Sequence, residues 1–213
     1  MIKLHKIKKY YDDKCVLDID EFEFIENRIY AIMGNNGCGK STLLKSIMNV
    51  IKLDKGQVET ELLDDIYYLP QNPFIFKGSV KDNLFSRNTN LNLNDFENML
   101  DKNALSLSGG EKQKMLLIRT ILQDKSILLL DEPTSDMDVE GTIKYEGIIK
   151  DYKQKNSATI IIVTHSLSQA VRLSDTIIFM SNSKIVEYGD SKDIIEKAKS
   201  PQLKKFVAFH QVK

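Results

Sequence analysis

Gly34-Asn35-Asn36-Gly37-Cys38-Gly39-Lys40-Ser41 fits the phosphate-binding loop (P-loop) pattern, in which spaced glycines lead into Lys-Ser. Glycines let successive backbone N–H groups turn toward one anion, and a helix beginning at Lys40 adds its positive dipole end. The Lys40 ammonium can then reach the β and γ phosphates of a nucleotide, with Ser41 placed to hold Mg²⁺. The pattern needs a strand before it and a helix after it. Ile29-Tyr30-Ala31-Ile32-Met33 supplies the apolar, β-branched strand, and Leu43, Leu44, Ile47 and Val50 follow at helical spacing.

Downstream, the same strand-then-helix rhythm repeats. Helices are predicted over 111–122, 139–152 and 166–173, and buried strands over 126–130 and 159–163. Ile177–Met180 and Lys184–Glu187 read as an antiparallel hairpin. Strands alternating with helices imply a mostly parallel sheet covered on both faces. Upstream, Phe22–Ile25 is a further strand, and Gln57–Glu61 and Ile66–Leu69 follow the turn at Asp54-Lys55-Gly56. Between Gln71 and Leu107 the chain turns polar and Asn-rich, with helix starts at Ser79 (Asp82 following) and Asn94 (Glu97 following), so residues 72–106 read as a small helical insertion.

Composition bounds the function. Lys plus Arg and Asp plus Glu both total 30, so the formal net charge is zero and no overall basic field draws the chain to nucleic acid or an acidic membrane. Cys15 and Cys38 are too few for a disulfide framework and point to a reducing compartment. The apolar runs Ile127–Leu130 and Ala158–Val163 are of strand length, short of the roughly 20 residues a membrane span requires. The opening residues lack a signal-peptide h-region, so the chain is expected to remain cytoplasmic.

Two further stretches carry chemistry. Ile127-Leu128-Leu129-Leu130-Asp131-Glu132 is a buried strand ending in two carboxylates, at the sheet edge where α/β proteins collect ligands. Such an ending by itself is often a strand meeting solvent. Beside a phosphate loop, Asp131 can orient Mg²⁺ and Glu132 can accept a proton from a water attacking the γ phosphate. Leu107-Ser108-Gly109-Gly110-Glu111 opens a helix with a hydroxyl and glycine N–H groups, a second anion-binding arrangement.

A P-loop, then Ser-Gly-Gly at a helix start, then an apolar strand with Asp-Glu resembles the ABC ATPase superfamily over nearly the whole chain. The resemblance implies an α/β fold: a P-loop NTPase core, an antiparallel β subdomain and a short helical subdomain, making residues 1–213 one nucleotide-binding domain with residues 72–106 inserted. It implies ATP and Mg²⁺ as cofactors. Nucleotide contacts would come from Gly34, Asn35, Asn36, Gly37, Cys38, Gly39, Lys40, Ser41 and Thr42, with Ser41, Gln71 and Asp131 at the metal. Glu132, His165 and Gln71 would be catalytic: Gln71 resembles the Q-loop glutamine and His165 the switch histidine. Ser108, Gly109 and Gly110 would act in trans on ATP held by a second copy. Tyr11 resembles the residue that stacks on adenine, and Ser135 to Asp138 occupies the D-loop, with Asp138 its acidic member. Taken singly, Gln71, His165 and Tyr11 have structural explanations; their register with the stronger motifs favours function. Cys38 fits as a small residue of the loop, although its place beside Lys40 at a helix start could make it reactive.

The chain departs from the family at Asn27, where glycine is usual, at Asn35 and Asn36, at Met137 in the D-loop, and in the shortness of 72–106. The implied function is an ATP-hydrolysing subunit, paired with a second nucleotide-binding domain and peripheral on the inner face of the membrane, powering transport through a separate permease. Its tail, with His165 to Ala170, Arg172 to Asp175, Pro201, Phe206 and Val207, is similar to importer subunits, most of all those for oxyanions of the tungstate type. The alternative is a non-transport ABC ATPase acting on a soluble or nucleic-acid partner. A nucleotide-binding scaffold without turnover is disfavoured by Glu132 and His165.

Overall fold

The computed structural model describes residues 1–84 and 97–211. Its core is a six-stranded sheet ordered β5-β6-β7-β3-β8-β9, built from β3 (Ile29–Gly34), β5 (Ile66–Leu69), β6 (Ile127–Asp131), β7 (Thr159–Val163), β8 (Thr176–Ser181) and β9 (Lys184–Asp190). All pairings are parallel except that of β9, which returns antiparallel on β8. That return is the hairpin read from sequence; its turn uses positive φ at Asn182 and Ser183.

A strand presents alternate residues to opposite faces. Ile29, Ala31, Met33, Leu128, Leu130, Ile160, Ile162, Ile177 and Phe179 enter one core, and Tyr30, Ile32, Ile127, Leu129, Ile161, Val163, Ile178 and Met180 the other. Burial on both faces explains why these strands are continuous apolar runs. The first core is completed by α4 (Gly109–Ile121), α5 (Val139–Asn156), α6 (Leu167–Leu173) and α8 (Pro201–Gln211), through Leu116, Tyr145, Ile149, Ala170 and Phe206.

The second core is closed by α1 (Lys40–Ile47) and by a three-stranded antiparallel sheet. That sheet, ordered β2-β1-β4, comprises β1 (Ile2–Tyr11), β2 (Lys14–Phe24) and β4 (Lys55–Thr60). The lysines near the end of β1 are paired: Lys8 lies 2.9 Å from Asp18 and Lys9 3.2 Å from Asp54.

Several boundaries differ from expectation. Helix α1 stops at Ile47 because Asn49 adopts a left-handed conformation, leaving Val50 61% exposed beyond it. Helix α5 continues to Asn156, past Tyr152, until Ser157 turns left-handed. Asn27 has φ +55, so it meets the same backbone demand that a glycine would. Within 72–106, α2 (Val80–Asn83), with the expected capping box of Ser79 and Asp82, and α3 (Glu97–Leu100) are single turns. The helix start at Asn94 lies outside the described residues. A last short helix, α7 (Asp193–Glu196), precedes α8. No helix among the described residues is long and apolar enough to cross a membrane.

Candidate active site

The phosphate loop leaves the end of β3 at the centre of the sheet, between β7 and β8. Its glycines are dictated by close packing. Gly34 has φ +146, and a Cβ there would lie 2.1 Å from the Met180 carbonyl oxygen; Gly39 has φ +106, and a Cβ would lie 2.3 Å from that of Val16. No other residue fits either position. The tip, Asn35 to Gly37, is exposed, while Cys38, Gly39 and Lys40 are buried. Burial raises the Cys38 thiol above its ordinary pKa, so Cys38 fills space and is not an activated nucleophile. Lys40 curls back over the loop, its Nζ donating to the carbonyl oxygens of Gly34 at 2.9 Å and Asn35 at 3.1 Å. The ammonium therefore sits in the concavity of the loop. Thr42, half-buried in the first turn of α1, accepts from the Ser46 hydroxyl through its carbonyl at 2.8 Å.

Strand β6 delivers the carboxylates beside this loop. Ser41 Oγ donates to Asp131 Oδ1 at 3.1 Å, and the Tyr68 hydroxyl donates to Oδ2 at 3.1 Å. Asp131 is 2% exposed, and burial lifts its pKa above the ordinary carboxylate value against the opposing hydrogen bonds from Ser41 and Tyr68. Tyr68 was not singled out from sequence; the signal was a phenol within a short strand that pairs with β6. Burial, reinforced by Asp131, raises the Tyr68 pKa well above its usual value, so it remains a donor.

Glu132 follows with φ +50, its amide donating to the Val163 carbonyl at 3.1 Å. A non-glycine residue in this region is strained, and here the strain turns the carboxylate away from the strand line. Both oxygens are engaged: Gln71 Nε2 donates to Oε2 at 2.9 Å, and His165 Nε2 lies 2.6 Å from Oε1. Gln71 follows β5, Glu132 follows β6 and His165 follows β7, so three adjacent parallel strands place these residues together beyond their carboxyl ends. Glu132 and His165 open onto a cleft of about 450 Å³.

Other candidates stand apart. Ser108 caps α4 in a reciprocal box: its Oγ donates to Glu111 Oε2 at 2.9 Å, and the Ser108 amide donates to the same oxygen at 3.0 Å. Ser108 and Gly110 line a cleft of about 430 Å³ with Asp136, Asp138 and Glu140, and no residue of 34–42 lines it. Gly109 lies against Asp136, 3.3 Å from the Asp136 Cβ to the position of an added Cβ. Asp138 caps α5, accepting from the Gly141 amide at 2.7 Å. Tyr11 stands at the tip of the β1–β2 hairpin, 49% exposed, with Lys9 Nζ 5.6 Å from its ring centroid. The other arm of that hairpin meets the phosphate loop at Val16 and Leu17.

The family model described as ABC transporter matches residues 17–135. The tungstate uptake system ATP-binding protein TupC of Peptoclostridium acidaminophilum is 36% identical over 207 residues, covering 87% of this chain and 97% of that protein. The phosphate import ATP-binding protein PstB of Thermotoga maritima is 29% identical over 238 residues, covering 94% of each. Among solved structures, an ATP-binding subunit of an ABC transporter superposes with a TM-score of 0.83 over 99% of both chains, at 22% identity. A nucleotide-free ATP-binding cassette gives the same TM-score over 97% of this chain and 98% of its own, at 20% identity. These two likenesses confirm the α/β fold with its mostly parallel and antiparallel sheets. With the phosphate loop, the paired carboxylates and the family match running through both, the chain belongs to the ABC transporter family as an ATP-binding, ATP-hydrolysing subunit.

Proposed function

We propose that this chain is the motor of an oxyanion importer, working as a pair of copies beneath a separate membrane permease on the cytoplasmic face. The observation that carries the reading is Glu132, gripped on both oxygens by Gln71 and His165 next to the Ser41–Asp131 pair. Relatives named for tungstate uptake and phosphate import support the oxyanion class. Residues 1–213 act as one nucleotide-binding domain, in which 72–106 is a reduced helical subdomain.

In this reading the loop Gly34 to Thr42 holds the ATP phosphates, with the Lys40 ammonium meeting the β and γ groups. Tyr11 stacks on adenine. The donor set suits Mg²⁺: Ser41 and Asp131 present hard oxygen atoms 3.1 Å apart, with Gln71 nearby. Among the described residues no cluster of three or more His, Cys, Asp or Glu side chains could enclose a metal, which agrees with an ion held largely by phosphates and water. When bound, Mg²⁺ neutralises charge on the transferring phosphoryl group. Glu132 accepts the proton of the attacking water, while Gln71 and His165 fix the direction of its carboxylate.

Ser108, Gly109 and Gly110 close on nucleotide held by the second copy. Gly110 supports this: among the described residues a Cβ there would meet nothing within 4 Å, so their packing gives no reason for glycine. Permease docking is supported by Phe74 and Phe76, 71% and 44% exposed just beyond Gln71 and stacked edge to face at 4.8 Å. Arg119 steadies this segment, its Nη1 donating to the Phe74 carbonyl at 2.9 Å.

The test is to purify the tagged Glu132→Gln chain with ATP from gently solubilised native membranes. A co-purifying multi-span protein is expected, and its identity reports the cargo. Recovery of soluble proteins or nucleic acid alone would overturn the transport reading in favour of a non-transport ABC ATPase.

A further inference from the structure

Gln169 in α6 is 1% exposed, yet every polar atom of its amide is used. Its Oε1 accepts from Thr164 Oγ1 at 2.6 Å, and its Nε2 donates to Thr134 Oγ1 at 3.0 Å. Thr164 Oγ1 in turn accepts from the Ser166 amide at 3.1 Å, and Ser166 Oγ caps α6 by accepting from the Gln169 amide at 3.2 Å. The chain of bonds is closed, with the Thr164–Gln169 bond at its buried heart, the condition under which a polar network rigidifies its surroundings.

Its position gives it consequence. Thr164 directly precedes His165, and Thr134 lies two residues beyond Glu132. One amide therefore ties the loop after β7 to the loop after β6, and these loops carry the two partners of the 2.6 Å His165–Glu132 contact. A second link runs alongside: Arg172, one turn further along α6, makes a bidentate pair with Glu146 of α5 at 2.7 and 3.0 Å, and Glu146 is 4% exposed.

We infer that Gln169 is a positioning residue for ATP hydrolysis, holding the His165 loop and the Glu132 loop in one register so that the Glu132 carboxylate keeps its direction toward the attacking water. The inference rests on the reading of Glu132 and His165 as catalytic. Gln169 touches neither nucleotide loop nor phosphate-binding groups, so its loss acts on turnover and not on ATP affinity. Glu at this position can accept a hydrogen bond from both threonine hydroxyls and restore the tie; Met matches the volume but cannot.

The experiment compares Gln169→Met and Gln169→Glu with the unmodified full chain, measuring kcat, KM and fluorescent-ATP affinity, together with melting temperature. Gln169→Met is expected to lower kcat about tenfold, as small misplacement of catalytic groups does, with ATP affinity within about twofold. Gln169→Glu is expected to recover most of kcat. A purely structural role would lower melting temperature and leave kcat per folded molecule unchanged in both variants, and that outcome overturns the inference. Glu132→Gln and His165→Ala run in parallel: wild-type turnover in these would overturn the site reading itself, whereas their inactivity with a fully active Gln169→Met overturns only the role of Gln169. If Gln169→Met does not fold, Thr134→Val breaks the same tie from its more exposed end, and unchanged kcat there overturns the inference equally.

Discussion

At the scale of single residues, Asp131 carries a burial cost that its proposed role at the metal would explain. It is buried with hydroxyl partners, and burial outweighs both them and the attraction of Lys45, keeping its pKa above the ordinary carboxylate value. A raised carboxylate pKa means that the folded chain binds the proton more tightly than the unfolded chain. Stability then falls as pH rises from the ordinary value through the folded one, and stays reduced at neutral pH. Asp131→Asn removes that charge while the amide oxygen still accepts from Ser41 or Tyr68. The expected result is a melting temperature at pH 7 higher by roughly 2–4 °C, the effect of about 1 kcal/mol in a chain of this size, with ATPase activity abolished. Calorimetry at pH 7 beside a turnover assay checks both halves; a lower melting temperature would mean that the hydrogen bonds outweigh desolvation. Asp131, Glu132 and Lys40 were legible because their chemistry is written in adjacent letters. Tyr68 and Gln169 were not, because their roles exist only through partners that the parallel sheet brings in from distant positions.

At the scale of elements, helix α4 starts where Ser108 and Glu111 cap each other, two residues before the start expected at Glu111. Lys102 leads the effects that pull the Glu111 carboxyl down to about 2, with the Ser108 amide and hydroxyl adding to it. A depressed carboxylate pKa gives a contribution complete above the ordinary value of 4.5 and lost as pH falls through about 2, so the box is fully formed at neutral pH. Glu111→Ala removes it and leaves the Ser108 amide and hydroxyl without their acceptor, so the bond from the amide of residue 111 to Ser108 Oγ holds the helix start alone. Hydrogen exchange at pH 7 is expected to quicken several-fold at residues 109–112 while the middle of α4, around Met115 to Ile118, keeps its protection. Unchanged exchange would mean that Ser108 alone secures the helix start. The same logic explains which elements sequence could reveal. Strands β3, β6 and β7 are apolar on both faces and stand out as runs. Helices α2 and α3, at four residues each, are too short to show a period, and α8 shows its apolar stripe only once Leu203, Phe206 and Val207 are seen against the sheet.

At the scale of the whole molecule, the proposed pairing of two copies gives separate roles to the phosphate loop and to the Ser108–Gly110 helix start. The phosphate loop lies at the end of β3, and the Ser108 helix start faces a cleft lined by none of the loop's residues. In the proposed twofold pair, each copy offers its Ser108–Gly110 end to the loop of the other, and a twofold interface is self-complementary by construction. In that reading, ATP bound between the copies adds contacts that exist only in the closed pair, so nucleotide is expected to shift the equilibrium toward the dimer. Gly110 separates this account from one in which the glycines merely start a helix. Among the described residues an added Cβ meets nothing within 4 Å, and alanine is the better helix former by about 1 kcal/mol. Gly110→Ala should therefore leave the melting temperature unchanged or slightly raised. Placed in the Glu132→Gln background, it should also abolish the ATP-induced dimer seen by light scattering after size exclusion, because the methyl group occupies the space where the partner's nucleotide closes. A stable variant that still dimerises with ATP would remove the in-trans role of this helix start, while leaving the loop, Asp131 and Glu132 of each copy as a hydrolytic site complete in one chain.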